Sequence, residues 1–114
     1  MRIQVNIDCS DKDLLSTFWC AALGYEPKGS LGQYASITDP TGSGPDLVFQ
    51  EVDEPKSTKN RMHLDLYFDD IESERARLIE LGALASSEDA FEMKRERWFV
   101  MTDPEGNEFC ICRR

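Results

Sequence analysis

His63 is the chain's one histidine, and it stands two residues before an aspartate in Met62-His63-Leu64-Asp65-Leu66-Tyr67-Phe68. Apolar and polar side chains alternate there. Read as a strand, the segment puts His63, Asp65 and Tyr67 on one face and Met62, Leu64, Leu66 and Phe68 on the other. Residues two apart on one strand face are roughly 6–7 Å apart, close enough to perturb each other's proton affinity and too far to assure a hydrogen bond. An imidazole titrates near neutral pH, so His63 is a candidate acid–base catalyst or metal ligand. The alternative is a neutral ring hydrogen-bonded for structure. An inward carboxylate is costly unless it is paired or hydrogen-bonded. Asp65 therefore serves either a polar network or the chemistry.

The segment has a counterpart. Residues 3–9, Ile-Gln-Val-Asn-Ile-Asp-Cys, alternate in the same way, with Gln4, Asn6 and Asp8 on the polar face. Each strand leads into an acidic helix start, Ser10-Asp11 or Asp69-Asp70. Each helix then ends in a Leu-Gly pair, Leu23-Gly24 or Leu81-Gly82, and each half reaches a Thr-Asp-Pro-x-Gly turn at 38–42 or 102–106. Such turns need no function: Asp caps, Pro fixes φ and Gly accepts a positive φ. Two equivalent halves imply a pseudo-twofold body with a cavity where they meet. Gln4, Asn6 and Asp8 from one half and His63, Asp65 and Tyr67 from the other could line it. Tyr34 and Trp98 hold matching places four residues before Thr38 and Thr102. Ala35/Ile37 and Phe99/Met101 suit a helix-packed face, which leaves the two aromatics for the opposite face, as pocket walls or as simple packing. Arg61, Arg95 and Arg97 lie near the expected rim, where they could meet an anionic ligand or pair with the surplus carboxylates.

These residues need a scaffold of strands. Unit one reads as a strand at about 2–9 and a helix at about 11–23 with a buried stripe of Leu14, Leu15, Phe18, Trp19, Ala22 and Leu23. A short strand at 25–28, a Gly-rich turn at 29–32 and strands at 33–39 and 46–52 complete it. The polar, Pro-containing segment 53–61 reads as a linker. Unit two, 62–114, repeats the order with a strand at 62–68, a helix at about 70–81, a weak strand at 83–86 and strands at 97–103 and 107–112. The charged stretch 86–96 lacks a period and reads as a loop. One helix among four strands, twice over, is an α+β pattern of two βαβββ modules in a single 114-residue domain.

Composition narrows the function classes. A net charge of −9 opposes nucleic-acid and anionic-membrane partners, which require a basic surface. No apolar run approaches the roughly 20 residues of a membrane span, and the N-terminus shows no signal-peptide core, so a cytoplasmic protein is expected. Cys9, Cys20, Cys110 and Cys112 are then expected to be reduced. None forms a Cys-x-x-Cys pair, and no phosphate loop, nucleophile elbow or dinucleotide fingerprint occurs.

Three stretches carry a resemblance: Cys9-Ser10-Asp11…Phe18-Trp19…Leu23-Gly24, then Lys59-Asn60-Arg61-Met62-His63-Leu64-Asp65-Leu66, then Trp98 through Cys110. The chain resembles the vicinal oxygen chelate superfamily, which includes glyoxalase I, bleomycin-resistance proteins and extradiol dioxygenases, and within it the small bacterial glyoxalase-like proteins. The resemblance implies paired βαβββ modules curled into an open barrel, frequent homodimers, and a divalent metal held by a His or Gln on each first strand and a Glu on a last strand. Gln4 and His63 match the first-strand positions. Cys110 falls where the Glu would be, and Val48 is its equivalent in unit one, so the resemblance implies a depleted metal set and no tightly held divalent ion. If an ion were held, Gln4 and His63 would be its ligands at family positions. A set that added Asp65 and Cys110 would suit zinc or cobalt better than a hard cation. The expected function is small-molecule binding in the central cavity, with two forms. One is a lyase, isomerase or dioxygenase-like enzyme with His63 and Asp65 catalytic and Gln4, Asn6, Tyr34, Tyr67, Trp98 and Cys110 around the ligand. The other is a non-catalytic protein that sequesters its ligand, as bleomycin-resistance proteins do. A regulatory or partner-docking domain is a third class.

Overall fold

The alternation of residues 3–9 becomes strand β1, Gln4–Cys9, and Asp11 then stops the strand and starts helix α1, Lys12–Leu23. The Asp11 carboxylate accepts from the backbone N–H groups of Asp13 and Leu14 at 3.1 and 3.0 Å, satisfying donors that the first helical turn leaves open. Gly24 ends the helix at φ 71°, a conformation that costs a side-chain-bearing residue more. Strands β2 (Glu26–Leu31), β3 (Tyr34–Thr38) and β4 (Asp46–Glu51) follow. The sheet order is β1-β4-β3-β2, with β1 and β4 parallel and the other pairs antiparallel. Leu15, Phe18, Trp19 and Ala22 of α1 are buried with Ala35, Ile37, Leu47 and Phe49 of the sheet. Phe18 and Trp19 meet edge-on, 5.2 Å between centroids. Leu14, expected in the stripe, is 45% exposed. The computed structural model describes residues 1–113, and this first compact unit spans Met1–Lys56.

The second unit begins at Ser57. It contains β5 (Leu64–Tyr67), α2 (Ile71–Leu81), β6 (Leu84–Ala85), β7 (Phe91–Met93), β8 (Glu96–Thr102) and β9 (Glu108–Arg113). Its sheet runs β5-β9-β8-β6, with β5 and β9 parallel and β7 paired to β8. Asp70 caps α2 through Ser73, and Gly82 ends it at φ 118°. Ile71 and Leu78 of α2 are fully buried, as are Met101, Phe109 and Ile111 of the sheet it packs on. The protein is thus α+β, built from two units that each lay one helix on one sheet face.

The structure moves some expected boundaries. The Gly-rich 29–32 stretch is mostly strand, since β2 continues through Gly29 to Leu31 and the turn falls at Gly32-Gln33. The expected loop at 86–96 contains β7, which folds back on β8 through Lys94 at φ 57°. Met62 does not pack under a helix: it precedes β5 and is 85% exposed. Among the described residues no helix is long and apolar enough to cross a membrane, and all four cysteines are free thiols.

The capping and turn carboxylates give the fold an acid dependence. Asp39 and Asp70 both sit below the usual carboxylate range, held there first by hydrogen bonds from Thr41 and from Ser73, respectively. A depressed native pKa means that the unfolded chain binds protons more readily. The stabilisation is therefore complete above the unfolded value near pH 4 and is lost as pH falls through the native values. The melting temperature is expected to fall steadily from pH 5 to pH 2. Asp70→Asn, which keeps a cap-competent side chain, should make that fall shallower. A melting temperature unchanged between pH 5 and pH 2 would contradict this assignment.

Candidate functional site

In the second unit, His63 lies one residue before β5 and Asp65 lies within it. His63 Nε2 is 3.2 Å from Asp65 Oδ1, with the two side chains 48% and 49% exposed. The imidazole and the carboxylate thus reach each other, a contact that the backbone spacing of alternate strand residues permits but does not assure. Asp65 pairs in register with Cys110 of β9, which faces the same side and is buried. The ligand atoms of His63, Asp65 and Cys110 all lie within 4.8 Å of one another. Burial, then the charges of Asp65 and Glu108, raise the Cys110 thiol above its ordinary pKa. Burial, then Asp65, pushes Cys112 up to about 11. Both shifts favour the protonated thiol over the nucleophilic thiolate.

Farther along the same face, Tyr67 and Trp98 flank Cys112 from β5 and β8. The Trp98 ring stacks with Phe91 of β7 at 5.8 Å between centroids and 21° between planes. At the other end, Glu108 accepts from Lys59 Nζ at 2.6 Å and from the Asn60 N–H at 3.2 Å. Arg97 lies on the other face of β8, where it pairs with Glu72 and Glu92 at 2.7 and 3.0 Å, so its charge is already matched.

The first unit has a cavity of its own. Gln4, Tyr34 and Val48 line a cavity of about 270 Å³ together with Lys28, Ser36 and Asp46. Asp46 pairs in register with Gln4, accepts from Lys28 Nζ at 2.6 Å and Thr38 Oγ1 at 2.7 Å, and lies 3.7 Å from Arg2. Hydrogen bonds from Lys28 and Thr38 hold its carboxyl below the usual range. The Asn6 side chain donates to Gln50 Oε1 at 2.8 Å and is not among the residues lining the cavity.

The repeat is visible in register, since Asn6 opposes Val48 as Asp65 opposes Cys110. The same register identifies residues that sequence reasoning missed. Asp46 and Glu108 open the last strands of the two units, each bound to a lysine. The signal was present, since Gly44-Pro45-Asp46 aligns with Gly106-Asn107-Glu108. Phe91 left a weaker trace, the short alternation Phe91-Glu92-Met93 inside a charged segment.

The glyoxalase-like domain model matches residues 4–112. The chain belongs to the glyoxalase-like domain family. It is thereby a member of the vicinal oxygen chelate superfamily. This glyoxalase-like chain is similar in structure to a glyoxalase/bleomycin resistance protein/dioxygenase family enzyme from Burkholderia phytofirmans, at 17% identity and TM-score 0.82, covering 96% of this chain and 95% of that one. It is also similar to a fosfomycin resistance protein from Listeria monocytogenes, at 14% identity and TM-score 0.80, covering 100% and 93%. A fosfomycin resistance protein from Mesorhizobium loti matches at 9% identity and TM-score 0.77, covering 100% and 92%. Identities this low carry the fold alone. No curated protein matches the chain.

The divalent ion that the superfamily implies can be tested against these residues. Val48 and a buried thiol at the last-strand positions do not suit a hard cation, which seeks carboxylate and carbonyl oxygen. The imidazole, carboxylate and thiol that converge in the second unit suit a thiophilic ion, as nitrogen, oxygen and sulfur ligands to zinc do.

Proposed function

We propose that this glyoxalase-like protein binds a small organic molecule carrying an aromatic or apolar body and one polar group. The observation that carries the reading is the make-up of one sheet face in the second unit. A half-exposed His63–Asp65 pair and the stacked Phe91–Trp98 rings share it, while the other face is filled under α2. Aromatic surface with a few convergent polar groups is what small-molecule sites use. The imidazole and carboxylate, 3.2 Å apart, can orient a ligand hydroxyl or carbonyl and exchange a proton with it. In an enzyme His63 is the acid–base group. In a sequestering protein the same contacts only hold the ligand.

Phenol is a minimal probe, with one ring and one hydroxyl. Excited where only tryptophan absorbs, Trp98 should change its emission as phenol binds. The change should disappear in Trp98→Phe. It should survive in Trp19→Phe, because Trp19 is buried on α1 in the first unit. A phenol response carried by Trp19 alone would overturn the placement of the ligand.

A further inference from the structure

We propose that His63, Asp65 and Cys110 bind one thiophilic divalent ion, of the zinc class, entirely within the second unit. The reading goes beyond the small-molecule site and stands without it. Position-by-position comparison with the superfamily finds only His63 in this unit and counts Cys110 as a lost ligand. The three-dimensional arrangement adds Asp65, which no superfamily position supplies. The three donor atoms already lie within 4.8 Å of one another, and the Nε2–Oδ1 separation is 3.2 Å. Tetrahedral zinc with nitrogen, oxygen and sulfur ligands sets its donors roughly 3.3–3.8 Å apart, so the shell closes through small side-chain rotations. Cys110 and Asp65 are held on neighbouring strands in register, which fixes the two anionic ligands. His63 lies outside β5 and can adjust.

Charge favours the same ion. One carboxylate and one thiolate neutralise a divalent cation, and the imidazole adds no charge. Binding replaces the thiol proton, which leaves to solvent. Glu108 does not compete for the ion while Lys59 and the Asn60 N–H occupy its oxygens. The half-exposed His63 and Asp65 side chains leave the fourth position accessible, the arrangement that lets a bound ion meet a ligand.

Cobalt(II) provides a readout independent of any activity. Chelator-stripped full-length protein titrated with cobalt(II) should take up one equivalent and develop thiolate-to-cobalt charge-transfer absorption in the near ultraviolet. Zinc should displace the cobalt, while magnesium should not. Cys110→Ser should abolish the charge-transfer band. His63→Asn and Asp65→Asn should each weaken cobalt binding about tenfold or more at a nearly unchanged melting temperature. They keep the test decisive should Cys110→Ser fold poorly. Cys20→Ser, on α1 in the other unit, should bind as the parent does. Absence of the band, its survival in Cys110→Ser, or binding untouched by both His63→Asn and Asp65→Asn would each overturn the proposal. None of these results depends on phenol binding, so the small-molecule reading can fail or survive separately.

Discussion

Phe109→Ala should destabilise the protein by about 3–5 kcal/mol, the range for truncating a fully buried phenylalanine. Phe109 is 0% exposed. It lies on β9 between Leu64 of β5 and Met101 of β8, on the face that α2 covers. Removing the ring forfeits its transfer free energy and leaves a cavity that strands bonded on both sides cannot collapse to fill. Domains of this size are stable by only about 5–15 kcal/mol, so the loss is a large share of the total. The melting temperature should drop by about 10–20 °C, with a matching fall in the urea midpoint. Met62→Ala is the internal control. Met62 is apolar and in phase with the same strand pattern, yet it is 85% exposed, so its truncation should stay within about 0.5 kcal/mol. Equal losses from the two substitutions would mean that the packing face of the second sheet is misassigned.

That pair of residues shows where a sequence pattern stops being informative. Alternation reports which side of a strand a residue takes, and it places Leu64 and Asp65 on the faces they occupy. It does not report where pairing begins. Because β5 starts at Leu64, the pattern draws Met62 into a core it never reaches. The helices were legible to within a residue, since Asp11, Asp70, Gly24 and Gly82 are local signals with local effects. Strand β7 was hidden because three residues paired at an edge need no hydrophobic period of their own: the backbone bonds to β8 hold them. The Asp46 and Glu108 carboxylates were overlooked because the search for a last-strand ligand went to Val48 and Cys110. The repeat marks both, two residues earlier and on the same strand face. Neighbouring strands decide what a side chain meets, and composition along one strand cannot supply that. The approach of Asp65 to Cys110 is of this kind.

His63→Asn should weaken phenol binding about tenfold while leaving the melting temperature within a few degrees of the parent. The measurement is calorimetric titration with chelator present, so that no ion contributes. The expected loss follows from what His63 touches. Its ring is half exposed and meets the Asp65 carboxylate at 3.2 Å. Truncation therefore opens no cavity and strands no buried donor, the two routes to large destabilisation. A ligand hydroxyl loses one hydrogen bond to the imidazole. It also meets an Asp65 carboxylate whose nearby imidazole is gone, and a hydrogen bond involving a charged group is worth about 1.5–3 kcal/mol. At about 1.4 kcal/mol per tenfold in affinity, the lower end of that range gives the expected change. Asp65→Asn should weaken binding in the same direction, and the double variant should lose less than the sum of the two, because the pair acts as a unit. If His63→Asn instead lowers the melting temperature by ten degrees or more and the folded fraction binds phenol as the parent does, His63 is a structural residue. The ligand would then be held by the aromatic end of the face, with Phe91 and Trp98.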